Sequence, residues 1–203
     1  GNSPGTLATG SLTLNADTTF SVEIGGTSPG NGAGFHDEVA VTGSVTIATT
    51  GNGVMLNLSA FDTGSGTFVP LAGQEFVIVR NDGVDTITGN FASLAEGTTI
   101  SDFLSSGLIA RITYAGGDGN DIAILVDGSV TLPTPTQDGD NDTTSIRLSG
   151  TNLQYLINGS VVSSRPFAGS GAITITGTDD SDTLTIDLSG GNPIPTGGIT
   201  FNG

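Results

Sequence analysis

The sequence predicts an all-β fold, and a parallel β-helix or other β-solenoid is the first choice. Apolar and polar residues alternate in many short runs, for example where Phe20, Val22 and Ile24 alternate with polar neighbours. Successive side chains of a strand point to opposite faces, so this period of two indicates strands with one buried face. The 33 glycines and the frequent Thr, Asn and Asp residues supply tight turns between the strands.

The same alternation orients the strands of the first part of the chain. Two runs, 76–79 and 122–126, are apolar on both faces, and strands of this kind are usually covered on both sides. We therefore expect these two runs to be the most deeply buried. The residues predicted to face inward are Leu12, Leu14, Phe20, Val22, Ile24, Val45, Ile47, Leu56, Leu58, Phe76, Ile78, Ile122 and Ile124.

A weak internal repeat favours a stack of similar turns. The motif GSLTL begins at Gly10, GSVTI at Gly43 and GAITI at Gly171, and each leads through a polar turn into a second alternating strand. The first two copies lie 33 residues apart, a spacing that is typical of solenoid repeats. An antiparallel β-sandwich is the alternative, because Asn81-Asp82-Gly83 and Asn158-Gly159 are favourable hairpin turns.

Composition divides the chain into two modules. Residues 1–127 are predicted to form the β-solenoid module, and residues 144–203 a smaller β-rich module that we expect to be incomplete. Between them, the segment 128–143 is rich in Pro, Thr and Asp and is predicted to be a linker. Pro133 and Pro135 cannot donate hydrogen bonds to a strand ladder, which supports this interpretation.

The excess of acidic residues argues against several classes of partner. Twenty Asp and Glu residues stand against four arginines and no lysine, which gives a net charge of −16. This charge repels phosphate backbones and anionic lipid, so we expect no nucleic-acid binding. No apolar run approaches the roughly 18 residues of a membrane span, and we expect no membrane insertion. The absence of Cys excludes disulfides and is compatible with secretion from a bacterium.

We predict that the protein is not an enzyme, because the tested catalytic motifs fail. A Ser-His-Asp triad needs a histidine base, and the one histidine, His36, lies in a Gly-rich segment where we expect a surface loop. Polysaccharide lyases and glycosidases with a β-helix fold hold their substrates with basic and aromatic side chains. This chain has no Lys, no Trp and only two Tyr.

Five segments of the first module suggest a family. In order along the chain they read GNSPGTL, GSLTLNADTTFSVEIGGTSPG, DEVAVTGSVTI, EFVIVRNDG and ITYAGGDGNDIAILV. Their order resembles the passenger-type regions of autotransporter-associated β-strand repeat proteins, which are found in large surface proteins of Gram-negative bacteria, including planctomycetes. The second module, with GTDDSDTLTIDLSGGN, is similar to degenerate RTX-type segments of such proteins. The resemblance implies a right-handed parallel β-helix that is secreted and displayed on the cell surface.

The expected function follows from the fold and this resemblance. We predict a structural segment of a large bacterial surface protein, acting as a stalk, fibre or surface-layer component. Its expected partners are copies of itself or adjoining segments of the same large protein, joined through open strand edges. The alternative is an adhesin region that binds glycan or another cell-surface ligand.

Calcium is the one cofactor that the motifs suggest. In the RTX nonapeptide, Gly-rich turns present carbonyl oxygens and Asp carboxylates to Ca²⁺. The segment 116–121 matches the first six positions of that pattern, and 177–184 is a more degenerate copy. Each segment is alternatively a plain β-turn. Neither copy has a partner one coil away to complete the coordination of the ion.

A third candidate for calcium lies in the predicted linker. Asp138, Asp140 and Asp142 have the spacing of an EF-hand loop, but Thr143 and Ser149 occupy positions that require Gly and Glu, which excludes an EF-hand. A looser calcium clamp remains as a hypothesis. The predicted weak calcium ligands are Asp138, Asp140, Asp142, Asp118, Asp121, Asp179 and Asp182.

Overall fold

The chain forms a β-solenoid of about five turns, with 51% of its residues in strands, as the sequence predicts. The computed structural model describes residues 3–62, 64, 66–167, 170–179, 181–195 and 197–203. Two hydrophobic cores divide these residues into a first unit, up to residue 126, and a second unit, from residue 128.

Twelve strands and one short 3-10 turn build the first unit. The strands are β1 (Thr6–Thr9), β2 (Leu12–Leu14), β3 (Thr18–Ile24), β4 (Ser28–Pro29), β5 (Phe35–His36), β6 (Glu38–Val41), β7 (Val45–Ile47), β8 (Val54–Ala60), β9 (Glu75–Asn81), β10 (Thr99–Ile100), β11 (Ala110–Gly116) and β12 (Asp121–Val126). The 3-10 turn spans Phe103–Ser105. The strands of the second unit are β13 (Gly128–Thr131), β14 (Thr143–Ser149), β15 (Asn152–Ile157), β16 (Ser160–Pro166), β17 (Ser170–Thr176), β18 (Thr183–Asp187) and β19 (Ile199–Asn202).

Parallel ladders between successive turns hold the first unit together. β1 pairs with β6 and β6 with β9, while β2 pairs with β7 and β3 with β8. In the β2–β7 ladder Leu12 lies opposite Val45 and Leu14 opposite Ile47. The 33-residue repeat of the sequence is therefore the length of one turn at this position. The third copy of the motif forms β17 in the second unit, where it pairs with β13.

A mixed sheet, parallel from β1 to β9 and antiparallel beyond β9, closes the first unit. β9 pairs with β12, β12 with β11 and β11 with β10, which gives the six-stranded order β1-β6-β9-β12-β11-β10. Every residue of β12 is buried, and in β9 Phe76, Ile78 and Val79 are buried. The two runs that are apolar on both faces are thus deeply buried strands, as predicted.

The second unit combines solenoid turns with an antiparallel excursion. β17 pairs in parallel with both β13 and β19, and β14 pairs in parallel with β18. Between these turns, β14, β15 and β16 form an antiparallel meander. Its second hairpin turns at Asn158-Gly159, where both residues have positive φ, in agreement with the hairpin signal of this pair.

The predicted linker 128–143 needs correction at its start. Residues 128–131 form β13, which pairs with β17, and Leu132 is buried in the core of the second unit. Pro135 is also buried. Composition missed this strand because a short edge strand needs only two or three apolar residues, here Val130 and Leu132, and the prolines that follow it dominated the pattern.

One glycine shows how closely the turns approach. Thr88 forms a parallel bridge with Thr46, and the backbone N–H of Ile47 donates to the Thr88 carbonyl at 2.8 Å. The next residue, Gly89, has a φ of +87°, and a Cβ at this position would collide with the carbonyl of Ile47. Only glycine lets the third turn lie against the second here.

Aromatic and branched side chains fill the interior of the first unit. All the residues predicted to face inward belong to this core or pack against it. Phe76 lies at its centre, fully buried, with ring contacts to His36, Phe68 and Phe103 at 5.8–5.9 Å between centroids.

Truncation of this central ring tests the importance of the core. Phe76→Ala removes a fully buried side chain and leaves a cavity, so we expect a loss of about 3–5 kcal/mol in the free energy of unfolding, measured by chemical denaturation. Met55→Ala is the control, because Met55 is 52% exposed, and we expect a change within about 0.5 kcal/mol. Equal effects of the two substitutions would contradict this account of the core.

Candidate functional site

The first candidate site is an open groove along one edge of β8. β8 is the outer strand of a four-stranded sheet in the order β4-β5-β3-β8, so one of its edges has no neighbouring strand among the described residues. The chain begins to cover this edge when the N–H of Ala92 donates to the carbonyl of Val54 at 2.8 Å, but it then turns away. A groove of about 520 Å³ follows, lined by Leu56 and Leu58 on the strand side. We call it the β8 groove.

The register of β8 shows which backbone groups face the groove. Ile24 lies opposite Ala60, and the N–H of Phe61 donates to the carbonyl of Ile24 at 2.8 Å. In a parallel ladder, alternate residues bond to the same neighbour. The amides of residues 55, 57 and 59 therefore point to β3. Those of Leu56 and Leu58 point into the groove, and that of Ala60 points into an adjoining pocket of about 470 Å³. The two pockets share Leu58, Leu104 and Ser105, and we include both in the β8 groove.

The opposite wall of the β8 groove is a segment with unusual backbone geometry. Asp102, Leu104 and Ser105 have φ values of 50°, 52° and 59°, in the left-handed region that non-glycine residues rarely adopt. Buried Phe103 anchors the segment, and the Asp102 carboxylate accepts a hydrogen bond from the Gly107 N–H at 2.8 Å. Left-handed backbone at residues other than glycine costs free energy, which tertiary contacts must offset. Strained residues of this kind cluster at functional sites.

The predicted calcium ligands are only partly brought together. Asp138 and Asp140 are exposed, and the N–H of Asp140 donates to the Asp138 carboxylate at 3.1 Å. Asp179 is separate from them in sequence but accepts a hydrogen bond from the side chain of Gln137 at 2.8 Å. Among the described residues, no group of three or more His, Cys, Asp or Glu is arranged to hold a metal ion.

Of the predicted calcium ligands, Asp142 and Asp182 come nearest to forming a cation site. Each stands immediately before a strand of the β14–β18 pair, in which Thr143 lies opposite Thr183. Asp142 is 5% exposed; its Oδ1 accepts a hydrogen bond from the Asn158 side chain at 2.5 Å, while its Oδ2 has no partner. The Oδ1 of Asp182 is likewise buried without a partner.

The same two carboxylates act on the hydroxyl of Tyr155 through their charge. Burial raises the pKa of Tyr155 against the lowering effect of the Thr144 side chain, and the negative charges of Asp182 and Asp142 raise it further. The hydroxyl is buried and meets no hydrogen-bond partner at bonding geometry. One carboxylate oxygen of each aspartate is therefore buried without a partner at the adjacent starts of β14 and β18. Carboxylate oxygens are the ligand type that hard cations prefer.

The other predicted pair, Asp118 and Asp121, occupies different surroundings. Asp118 is exposed, whereas Asp121 is buried in β12 and accepts a hydrogen bond from the N–H of Asn81 at 2.7 Å. Burial raises the pKa of Asp121 to about 7, and the charges of Asp118 and Glu75 add to this increase against the lowering effect of the Asn81 bond and of Arg80. Asp121 thus joins two strands of the sheet.

The prediction that His36 lies in a surface loop was wrong. His36 is 1% exposed, and both ring nitrogens lie 3.0 Å from backbone carbonyl oxygens, Nδ1 from Gly26 and Nε2 from Val77. A neutral imidazole donates one hydrogen bond and a protonated one donates two. The local composition is loop-like, but β5 pairs with β3 and carries the ring into the core. His36 is therefore a structural link between three strands.

Two features of the sites could not be predicted from the sequence. Arg165 looks in the sequence like any of the four arginines, but in the structure it is 3% exposed. The free edge of β8 was also unpredicted, since its alternation matches that of paired strands. No local signal distinguishes either one, because both depend on which segments arrive beside them.

Comparison with known proteins adds nothing to what the fold and the geometry show. No family model, no curated protein and no solved structure matches the chain. Within the described part of the chain, none of the helical structure has the length and apolar character to cross a membrane.

The raised pKa of Asp121 predicts a dependence of stability on pH. In the folded state the carboxyl of Asp121 keeps its proton up to about pH 7, whereas a carboxyl with the ordinary pKa of 3.8 loses it at a lower pH. Asp121 therefore destabilises the fold progressively as pH rises from about 4 to about 7, by at most about 4 kcal/mol.

Asp121→Asn isolates this effect, because the amide oxygen still accepts the Asn81 hydrogen bond. We expect the variant to be more stable than the original protein at pH 8 and nearly equal to it at pH 4, by urea denaturation. Asp140→Asn, at an exposed position of the second unit whose charge does not act on Asp121, is the control. A stability difference that is constant between pH 4 and 8 would contradict the assignment.

Proposed function

We propose that the chain is a non-enzymatic structural segment of a large, secreted bacterial surface protein, and that it assembles by strand addition. Stalk, fibre and surface-layer components are the roles that this proposal covers. The observation that carries it is the β8 groove, where a regular strand presents unpaired backbone groups beside an open space. Unpaired edges of this kind are templates for a further strand.

The chemistry of the groove supports an extended peptide as the occupant. The amides and carbonyls of Leu56, Leu58 and Ala60 alternate along the free edge, as a ladder requires. Leu94 and Ile100 supply apolar contacts on the far side. A small polar ligand would leave the row of backbone groups unused, whereas a strand satisfies all of them.

The arrangement of polar groups supports a role without catalysis. A histidine that serves as a general base needs access to substrate, but both ring nitrogens of His36 face backbone carbonyls inside the core. The net charge of −16 also suits a protein that remains soluble in a crowded layer, since neighbouring copies repel each other except where specific pairing occurs.

A proline at the groove tests strand addition. Ala60→Pro removes an N–H that points into the groove and that β3 does not use, so we expect the fold to persist while assembly weakens at least about tenfold. Ala60→Ser keeps the N–H and is the matched control. Sedimentation and negative-stain electron microscopy over a range of protein concentrations measure the assembly.

Ser59→Pro shows whether the alternation is assigned correctly. The amide of Ser59 points to β3, so this proline breaks a ladder bond and should lower the melting temperature. The proposal is contradicted if the original protein stays monomeric at every concentration, or if Ala60→Pro and Ala60→Ser assemble equally well. A monomer that binds a glycan array would favour the adhesin alternative.

We also propose that Asp142 and Asp182 bind calcium weakly and clamp the start of β14 to that of β18. The unpartnered carboxylate oxygens support this proposal. Both residues precede strands of adjacent turns, so an ion between them would stiffen the stack. The remaining ligands would be backbone carbonyls and water, which is common for calcium.

Calorimetric titration with calcium tests the clamp. We expect a dissociation constant on the order of 10⁻⁴–10⁻³ M, as in other extracellular modules. Asp142→Asn keeps the hydrogen bond from Asn158 but removes the charge, and it should abolish the heat of binding. Asp140→Asn, at an exposed position, should retain it. Absence of heat with the original protein at millimolar calcium would exclude the site.

A further inference from the structure

A cleft of about 330 Å³ opens where the two units meet. Gly73 and Glu75 line it from the first unit, and residues of β13 and β16 line it from the second. We call it the junction cleft. Val130, Leu132 and Val162 give it apolar walls, and Thr131, Ser163 and Arg165 are its polar residues on the side of the second unit.

Arg165 is the unusual residue of this cleft. It is 3% exposed, and its Nε is buried without a hydrogen-bond partner. Among the described residues, the ion pairs within 4.0 Å join Arg80 to Glu38 and Arg111 to Asp127, so none of them includes Arg165. A guanidinium always carries its charge and has five N–H donors, and burying it without acceptors is costly.

The two carboxylates whose charge acts on Arg165 accept hydrogen bonds from other donors. Arg111 holds Asp127 at both oxygens, from Nε at 3.0 Å and from Nη2 at 3.1 Å. Glu75 accepts a hydrogen bond from the N–H of Gly117 at 3.3 Å. Both carboxylates influence Arg165 through their charge, but neither supplies the paired acceptors that a guanidinium takes up at short range.

We propose that the junction cleft binds a small organic carboxylate and that Arg165 is its anion-binding residue. The planar fork of a guanidinium matches the two oxygens of a carboxylate, and such bidentate pairs are among the strongest hydrogen-bonded contacts in proteins. The hydroxyl of Ser163 is available beside the carboxylate, and the apolar part of the ligand packs against Val130 and Val162.

The surroundings favour a carboxylate over other anions and over cations. A single guanidinium beside Glu75 cannot balance a doubly charged phosphate or sulfate, whereas one negative charge suits it. The negative charge of Glu75 repels a doubly charged anion more strongly than a singly charged one.

Nuclear magnetic resonance with simple acids tests the site. The probes are propionate and D-glucuronate, and their neutral controls are propionamide and D-glucose. We expect a saturable shift of the Arg165 Nε–H resonance with one or both acids, with dissociation constants on the order of millimolar. Response to propionate indicates a free or peptide carboxylate, and preference for glucuronate indicates an acidic glycan.

Three variants separate this proposal from its alternatives. Arg165→Gln should weaken binding at least about tenfold, because the amide cannot form a charged, bidentate pair. Glu75→Gln should retain or strengthen binding, whereas it would abolish the binding of a cation. Arg147→Gln, in β14 of the same sheet, removes a partly buried cation that donates instead to Gln154 at 3.0 Å and should leave binding unchanged.

The titration of the original protein decides the proposal even if Arg165→Gln does not fold. Absence of a saturable Nε–H shift at tens of millimolar of either acid would overturn it. Equal responses to the acids and to their neutral controls would also overturn it, as would loss of binding in Glu75→Gln. Because none of these measurements involves assembly, they are independent of strand addition at β8.

Discussion

In-register parallel pairing between successive turns is the interaction on which the whole structure depends. Each ladder bond fixes one turn above the previous one, so that like residues form columns inside the solenoid, as Leu12 with Val45 and Leu14 with Ile47 do. A shift of one residue would turn a buried column outward. The register of the ladders therefore fixes both which residues are buried and how long each turn is. The glycines and aspartates at the turns have to be compatible with that register.

The same constraint explains why the β8 groove exists. A solenoid satisfies the backbone of each strand only when the next turn supplies another strand beside it. The third turn does so for β6 through β9, but beside β8 it makes one hydrogen bond, from Ala92 to Val54, and then turns away. The edge of β8 is unpaired because the β3–β8 ladder ends at β8, whereas the β1–β6 ladder continues to β9. The strained segment at 102–105 lies on the opposite side of the β8 groove.

The part of the fold that alternation encodes could be predicted from the sequence. Inward residues such as Phe76 and Ile122 and the 33-residue turn follow directly from periodicity, because burial and ladder spacing act on neighbouring residues. Features set by the approach of distant segments could not be predicted. His36 enters the core through β5, and Arg165 is enclosed where the second unit meets Glu75 of the first.

The calcium candidates show the same difference between features set by neighbouring residues and features set by distant segments. Motif spacing singled out Asp138, Asp140 and Asp142 as a set, but the structure exposes the first two and buries the third. The partner that it places nearest to Asp142 comes from the start of another strand, Asp182, through the register of β14 with β18. Spacing along the chain detects loop ligands, whereas a stacked fold pairs residues a full turn apart.

Hydrogen exchange of the β8 amides tests the central claim most directly. In the dilute protein the amides of Leu56, Leu58 and Ala60 should exchange quickly, whereas those of Met55, Asn57 and Ser59 should be protected by β3. In the assembled protein both sets should be protected. Protection of Leu56, Leu58 and Ala60 in the dilute protein, or their continued rapid exchange after assembly, would contradict strand addition at this edge.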